Sequence, residues 1–407
     1  MPGPLLLLLA QVATPATPAP APASAPVAAA PPAPAPADVI VVGHRAEKDL
    51  AACVARHCPP VQEVEASLQA SVEQFADGRY VDARQTLQAA IRRNKRYAAT
   101  LPGPVSSLYA TLATVAEHEG DTNLWRTASR NNVSVLRQQL GAMDVATMTE
   151  ELSFADDMVG QGAIIMADNI YGKIQRRAAA NGQPALAASA AFRRGWLALQ
   201  RNRFREAERF ADTAVTLAGG ADSTMAELRE ILRTRVAIRK GDDTAVDALA
   251  ARLRQSTEAH PVLLYAPPIE DINPPRGRID ALPPLRDDAI HFADVGYWIR
   301  PDGTVADAEL LRSNGLGQWA PGILHHVGAR RYVPLRASDG QPGRYRIDRF
   351  TVRGDMDVPI GTRIRQRMGK LSVHVIDLTE TEAMSAMQRQ RMAARSAIPT
   401  PAPAPAR

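Results

Sequence analysis

Between His291 and Arg353 the chain carries a pattern that few folds can satisfy. Phe292-Ala293-Asp294-Val295-Gly296-Tyr297-Trp298-Ile299-Arg300 alternates, meets Pro301-Asp302-Gly303-Thr304, and turns back into Val305 to Leu311. Asp-Gly tolerates positive φ in a tight turn, and period-two runs give each flanking strand one buried face, so the stretch predicts a β-hairpin. Leu316, Trp319, Ala320, Ile323, Leu324 and Val327 then recur at helical spacing and close on Arg331-Tyr332-Val333-Pro334. Asp339-Gly340-Gln341-Pro342 turns the chain into a last strand, Gly343 to Arg353. The order is strand, strand, helix, strand.

This order resembles the C-terminal domain of the TonB energy-transducer family. Val295 to Leu311 matches the family's strand-Asp-Gly-Val-strand hairpin, and Arg331-Tyr332-Val333-Pro334 stands where the family has an aromatic residue and Phe-x-Pro. Asp339-Gly340-Gln341-Pro342 is similar to its Asn-Gly-x-Pro turn, whereas its opening Tyr-Pro is missing. The match covers about a fifth of the chain. The resemblance implies a non-enzymatic module that binds a protein or peptide partner by adding its strand to an exposed sheet edge. That edge would be the last strand, with Arg344, Arg346, Arg349 and Arg353 toward the ligand and Tyr345 and Ile347 in the core. Phe350 and Val352 alternate in the other phase, so a bulge is expected near Asp348-Arg349. Leu371-Ser372-Val373-His374-Val375-Ile376 reads as one more strand, and the domain is placed at 271–378.

At 407 residues and 45% hydrophobic content the chain has room for two cores and tails. Leu5 to Ala13 is about half of the roughly 20 residues that cross a bilayer and reads as a secretory signal over 1–13, though no Lys or Arg precedes it. The expected location is therefore the periplasm, without a transmembrane anchor, so coupling to a proton-driven motor is not expected. Residues 14–37 are nearly all Ala and Pro and read as an extended spacer; 379–407 read as a helix and a Pro/Ala tail.

Residues 38–60 read as a strand and a cysteine loop. Asp38-Val39-Ile40-Val41-Val42-Gly43 is similar to the short hydrophobic box of TonB-dependent receptors, and the alternative is an ordinary β-branched strand. Cys53 and Cys58, the only cysteines, are either a small disulfide loop or free thiols; export favours the loop.

From 61 to 257 the chain reads as helix after helix. Gly78-Arg79-Tyr80-Val81-Asp82-Ala83 followed by Leu87 and Ala90, and Gly195 followed by Asn202-Arg203-Phe204-Arg205-Glu206-Ala207, Ala211 and Ala214, resemble tetratricopeptide repeats. Hairpins at Val105 to Leu140 and Val145 to Asn181 fill the gap, for about five pairs in all. Arg193, Arg194, Arg201, Arg203, Arg205 and Arg209 form the most basic candidate face.

No Gly-x-Ser-x-Gly elbow, phosphate loop or His-Glu-x-x-His occurs, so an enzyme is not expected. His325 and His326 point about 100° apart on a helix and do not share a metal. The pI of 9.4 with only 5% aromatics and no nucleic-acid motif argues against nucleic acid. No cofactor is indicated. The fold class read from the sequence is α+β multidomain: an N-terminal all-α helical-hairpin, tetratricopeptide-like array followed by a small TonB C-terminal-like α+β domain. The alternatives are an envelope scaffold without a ligand and a secreted enzyme whose site is assembled from distant residues.

Overall fold

The computed structural model describes residues 45–219, 223–242, 245, 249, 261–269, 289–316, 319–335, 343–358 and 361–379. The signal, the spacer, the segment 38–43 and the tail beyond 379 lie outside them. Helices come first and an antiparallel sheet follows, so the chain is α+β. The helices are α1 (Arg45–Ala55), α2 (Pro60–Ala76), α3 (Tyr80–Asn94), α4 (Pro102–Glu119), α5 (Thr122–Leu140), α6 (Val145–Gly160), α7 (Ile164–Ala180), α8 (Pro184–Gln200), α9 (Phe204–Ala218) and α10 (Ser223–Arg239).

Local chemistry explains the punctuation. Proline opens α2, α4 and α8, where a missing amide costs nothing and the fixed φ suits a first turn. Asp121 and Asp144 cap α5 and α6 by accepting from backbone amides of the first turn. Each first helix of a pair ends in the same device: Gly78, Gly120, Gly162, Asn202 and Gly241 adopt positive φ. The next residue's amide then reaches back five positions, as Arg79 to Gln74 at 2.8 Å and Asp121 to Ala116 at 2.8 Å, satisfying carbonyls at the helix end. These turns recur roughly 40 residues apart, a longer period than the roughly 34 of the tetratricopeptide consensus.

Successive helices pack in sequence order, and the first helices also touch one another, α2 with α4, α6 with α8, and α8 with α10. Alanine permits the approach: Ala83, Ala90, Ala207, Ala211 and Ala214 are all fully buried. At Gly195 an added Cβ would sit 3.0 Å from the Ala207 carbonyl, so α8 and α9 meet at backbone distance there.

The C-terminal unit contains β1 (Leu263–Tyr265), β2 (His291–Ile299), β3 (Val305–Asn314), α11 (Ala320–Gly328), β4 (Arg331–Tyr332), β5 (Arg344–Asp357) and β6 (Gln366–Asp377). The predicted hairpin forms, with Gly303 at φ 81° in its turn. The four-stranded sheet runs β3-β2-β5-β6, and β1 pairs with β4. Thus the unit recruits a strand upstream of the boundary at 271 expected from the sequence.

Two expectations are corrected. The strand holding Arg344 to Arg353 is not an edge, because β2 lies on one side of it and β6 on the other. Nor does a bulge interrupt Asp348-Arg349: the β2–β5 register is unbroken from His291↔Val352 to Ile299↔Arg344. Both phases of β5 are apolar or buried because the sheet is covered on both faces, as in strands that bury two sides. Ala293, Val295, Tyr297, Phe350 and Val352 join one core with Ile323 and Val327 of α11. The opposite face meets the helical array.

Candidate functional site

Two of the four arginines singled out in the sequence, Arg349 and Arg353, reach that second face. Arg349 is fully buried. Its Nε and Nη2 donate to Asp294 at 2.7 and 2.9 Å, and Nη1 donates to the Phe75 carbonyl at 2.7 Å. Nη2 also donates to Ala76 O at 2.5 Å. Phe75 and Ala76 end α2, so a cation sits where the last carbonyls and the helix dipole concentrate negative charge. Arg312 adds a second donor to Ala76 O and pairs with Asp294.

Arg353 repeats the arrangement one hairpin along, at α4. It is 2% exposed, donates to the Glu117 carbonyl near the end of α4, and binds Asp355 and Ser372. Arg367 Nε donates to Glu119 O at 2.9 Å, and Arg365 forms a two-point pair with Asp121 at 2.7 and 2.6 Å. Arginines of the sheet unit therefore hold the C-terminal ends of α2 and α4. Between them His118 contacts Thr351 Oγ1 through Nδ1 at 3.2 Å and lies edge-on to Phe75, 4.9 Å between ring centroids. Burial, with the Arg353 and Arg349 charges beside it, pushes His118 down to about 3; His374 is lowered well below its usual value by burial and Arg353.

Arg344 and Arg346 turn to the α11 face instead. Arg346 pairs with Asp348 and Asp377, both at 2.8 Å. Asp348 is the centre of a buried polar cluster: Tyr297 donates to it at 3.0 Å, Arg330 pairs with it, and Tyr332 meets Tyr297 hydroxyl to hydroxyl at 2.9 Å. Burial alone would raise Asp348, but Arg346 and Arg330 hold its carboxyl below the usual range. His326 is buried edge-on to Phe350 and pushed down to about 4 by burial and Arg330, while His325 is exposed. Asp348 accepts from Tyr297, Arg330 and Arg346 within the unit, so the cluster works as the polar part of a core. None of the four arginines lies on a sheet edge.

Elsewhere the structure bridges Cys53 and Cys58 at a Cα separation of 5.2 Å. The bridge is possible because the last turn of α1 ends with His57 at φ 53°, and the Cys58 amide bonds back to Cys53 O at 3.1 Å. The basic face expected around Arg193 is largely neutralised: Arg193 is 1% exposed on Asp156, Arg194 pairs with Asp168, and Arg203 with Glu206. Among the described residues no group of three or more His, Cys, Asp or Glu is arranged to hold a metal, and no helix is long and apolar enough to cross a membrane.

The sheet has two outer strands, β3 and β6. Pairing of β3 with β2 shifts register twice and Asp307 has φ 51°, irregularities that disfavour further pairing. By contrast, β6 pairs continuously with β5 from Ser372 to Asp377. The Leu378 amide donates to Ile347 O at 2.8 Å. Since amide direction alternates along a strand, those of Ile376 and His374 face β5, and those of Val375 and Val373 face away. Sequence reasoning found β6 as a strand but not its position, because register across 366–377 is a long-range property. No family model matches the chain, and no curated protein matches it either.

Proposed function

We propose that the protein is an exported, non-enzymatic protein-binding module of TonB C-terminal-like type, in which a partner strand adds to the outer edge of β6. The tetratricopeptide-like array is the scaffold that seats the sheet. The supporting observation is the run Leu371 to Ile376, free of Asp, Glu, Lys and Arg, whose Val373 and Val375 amides are directed away from β5. A regular strand with outward donors and little charge is the kind of edge that takes another strand. Relative to the sequence reading, the binding strand moves one place outward, because the chain's own β6 fills the position beside β5.

A labelled peptide Asp-Val-Ile-Val-Val, copied from residues 38–42, tests this in a titration. Val375→Pro removes an outward donor and should abolish binding with a smaller loss of stability than Ile376→Pro, which removes a donor to β5. Equal affinity of wild type and Val375→Pro, or no binding to wild type, would sink the reading. Export is tested by intact mass of protein recovered from the envelope, where retention of Met1 would count against it.

The self-filled edge also favours a second reading, an envelope scaffold whose sheet takes no ligand. Absence of any strand-adding partner in crosslinking from β6 would support it.

A further inference from the structure

We propose that the cleft between α5 and α7 is a docking groove for an acidic linear segment of a partner protein, separate from the sheet edge. These are the second helices of consecutive hairpins, and α6 runs between them as the floor. The cleft has a volume of about 700 Å³. Arg130 and Arg137 of α5 and Lys173, Arg176 and Arg177 of α7 line it, against the single carboxylate of Glu151.

That carboxylate is already spent on the walls. Glu151 is 5% exposed; Arg137 Nη2 donates to its Oε1 at 2.6 Å, and Arg177 pairs with its other oxygen. One acid thus ties α5 to α7 and fixes the width of the cleft. Arg130, Lys173 and Arg176 are exposed and have no ion-pair partner among the described residues. Their mutual repulsion is relieved only by an anion from outside, which supplies the charge complementarity for a ligand. Val133, Phe154 and Ile170 add an apolar strip beside the cations, with Val133 at 7% exposure and the other two partly buried.

The spacing describes the ligand. Arg130, Val133 and Arg137 follow i, i+3, i+7 on α5, and Ile170, Lys173 and Arg177 follow the same spacing on α7. Seven helical residues cover roughly 10 Å. An extended chain covers that distance in about three residues, at roughly 3.3 Å each. The fitting segment has two acidic residues three or four apart with an aliphatic side chain between them. Phosphate polyanions and anionic bilayers would engage the cations but would leave the apolar strip wet.

The test is fluorescence anisotropy on the full chain with a labelled peptide Gly-Glu-Ser-Leu-Ser-Glu-Gly. Wild type should bind it, K173E/R176E should weaken binding about tenfold or more, and the same peptide with Ser in place of Leu should bind detectably less. Both substituted positions are exposed, and an unchanged thermal midpoint would show that the variant is folded. The proposal is overturned by no binding to wild type, by equal binding of the Ser peptide, or by stronger binding of a short oligonucleotide or of phosphatidylglycerol vesicles.

Discussion

In the helical array, neighbouring helices meet through alanine: Ala207, Ala211 and Ala214 present no side chain beyond a methyl group and let the helices close on one another. Where the sheet meets the array, arginine makes the contact, with Arg349 and Arg353 reaching past the sheet to carbonyls at the ends of α2 and α4. The first kind of contact is short-range, non-directional and repeated. The second is directional and concentrated in a few groups whose removal strands others. Buried ion pairs of this sort add little net stability over apolar equivalents but are costly to break one-sidedly. The array should therefore tolerate local change, and the sheet should depend on its seat.

The widest separation between the two regions should come from dividing them. A fragment of residues 271–378, the domain bounds read from the sequence, lacks β1 and leaves Arg349, Asp294 and Arg353 without the array; it is expected to show no cooperative thermal transition. A sharp transition at a midpoint close to that of the full chain would erase the contrast. Next in size, Arg349→Ala leaves Asp294 with only Arg312 and removes the Arg349 donors to Phe75 O and Ala76 O, and should cost about 3–5 kcal/mol in denaturant unfolding.

The pH dependence is smaller and has a defined sign. His118 titrates at about 3 in the folded protein, below its ordinary 6.5, so the unfolded chain takes up its proton first as pH falls. Stability is full above about pH 6.5 and declines toward pH 3, at roughly 1.4 kcal/mol per pH unit, or about 2 kcal/mol between pH 6.5 and 5. His118→Gln should reduce that slope without removing it, since His374 shifts in the same direction. The smallest effect belongs to the array surface: Arg130→Ala should alter stability by no more than about 0.5 kcal/mol.

Local chemistry was legible in the sequence. The hairpin at Asp302-Gly303, the turn at Gly78, the alanines of α3 and α9 and the separate surroundings of His325 and His326 all follow from patterns a few residues long. Misplacement began where a strand's partner lies far away. Alternation assigned Tyr345 and Ile347 to a core and the arginines to a ligand, since one strand cannot report that both of its faces are covered. The same limit hid the β1–β4 pairing. The cleft beside Glu151 draws on α5, α6 and α7; its only sequence signal is the matched spacing of Arg130, Val133, Arg137 with Ile170, Lys173, Arg177.

The sheet unit touches the array at more than one point along its length. Early in the chain, Gly78 and Gly120 leave room for it: an added Cβ would lie 2.8 Å from the Phe292 ring and 2.6 Å from Gly354 O. Late in the chain, Leu264 and Val333 pack with Ile231 of α10. A stack of repeats that contacts only its neighbours can fray from either end, because each interface is an independent link. Here the first two hairpins and α10 are bridged by a common strut, and loosening either end works against the other. The chain is thereby closed into a loop of contacts, and its helices should melt together rather than peel away one pair at a time.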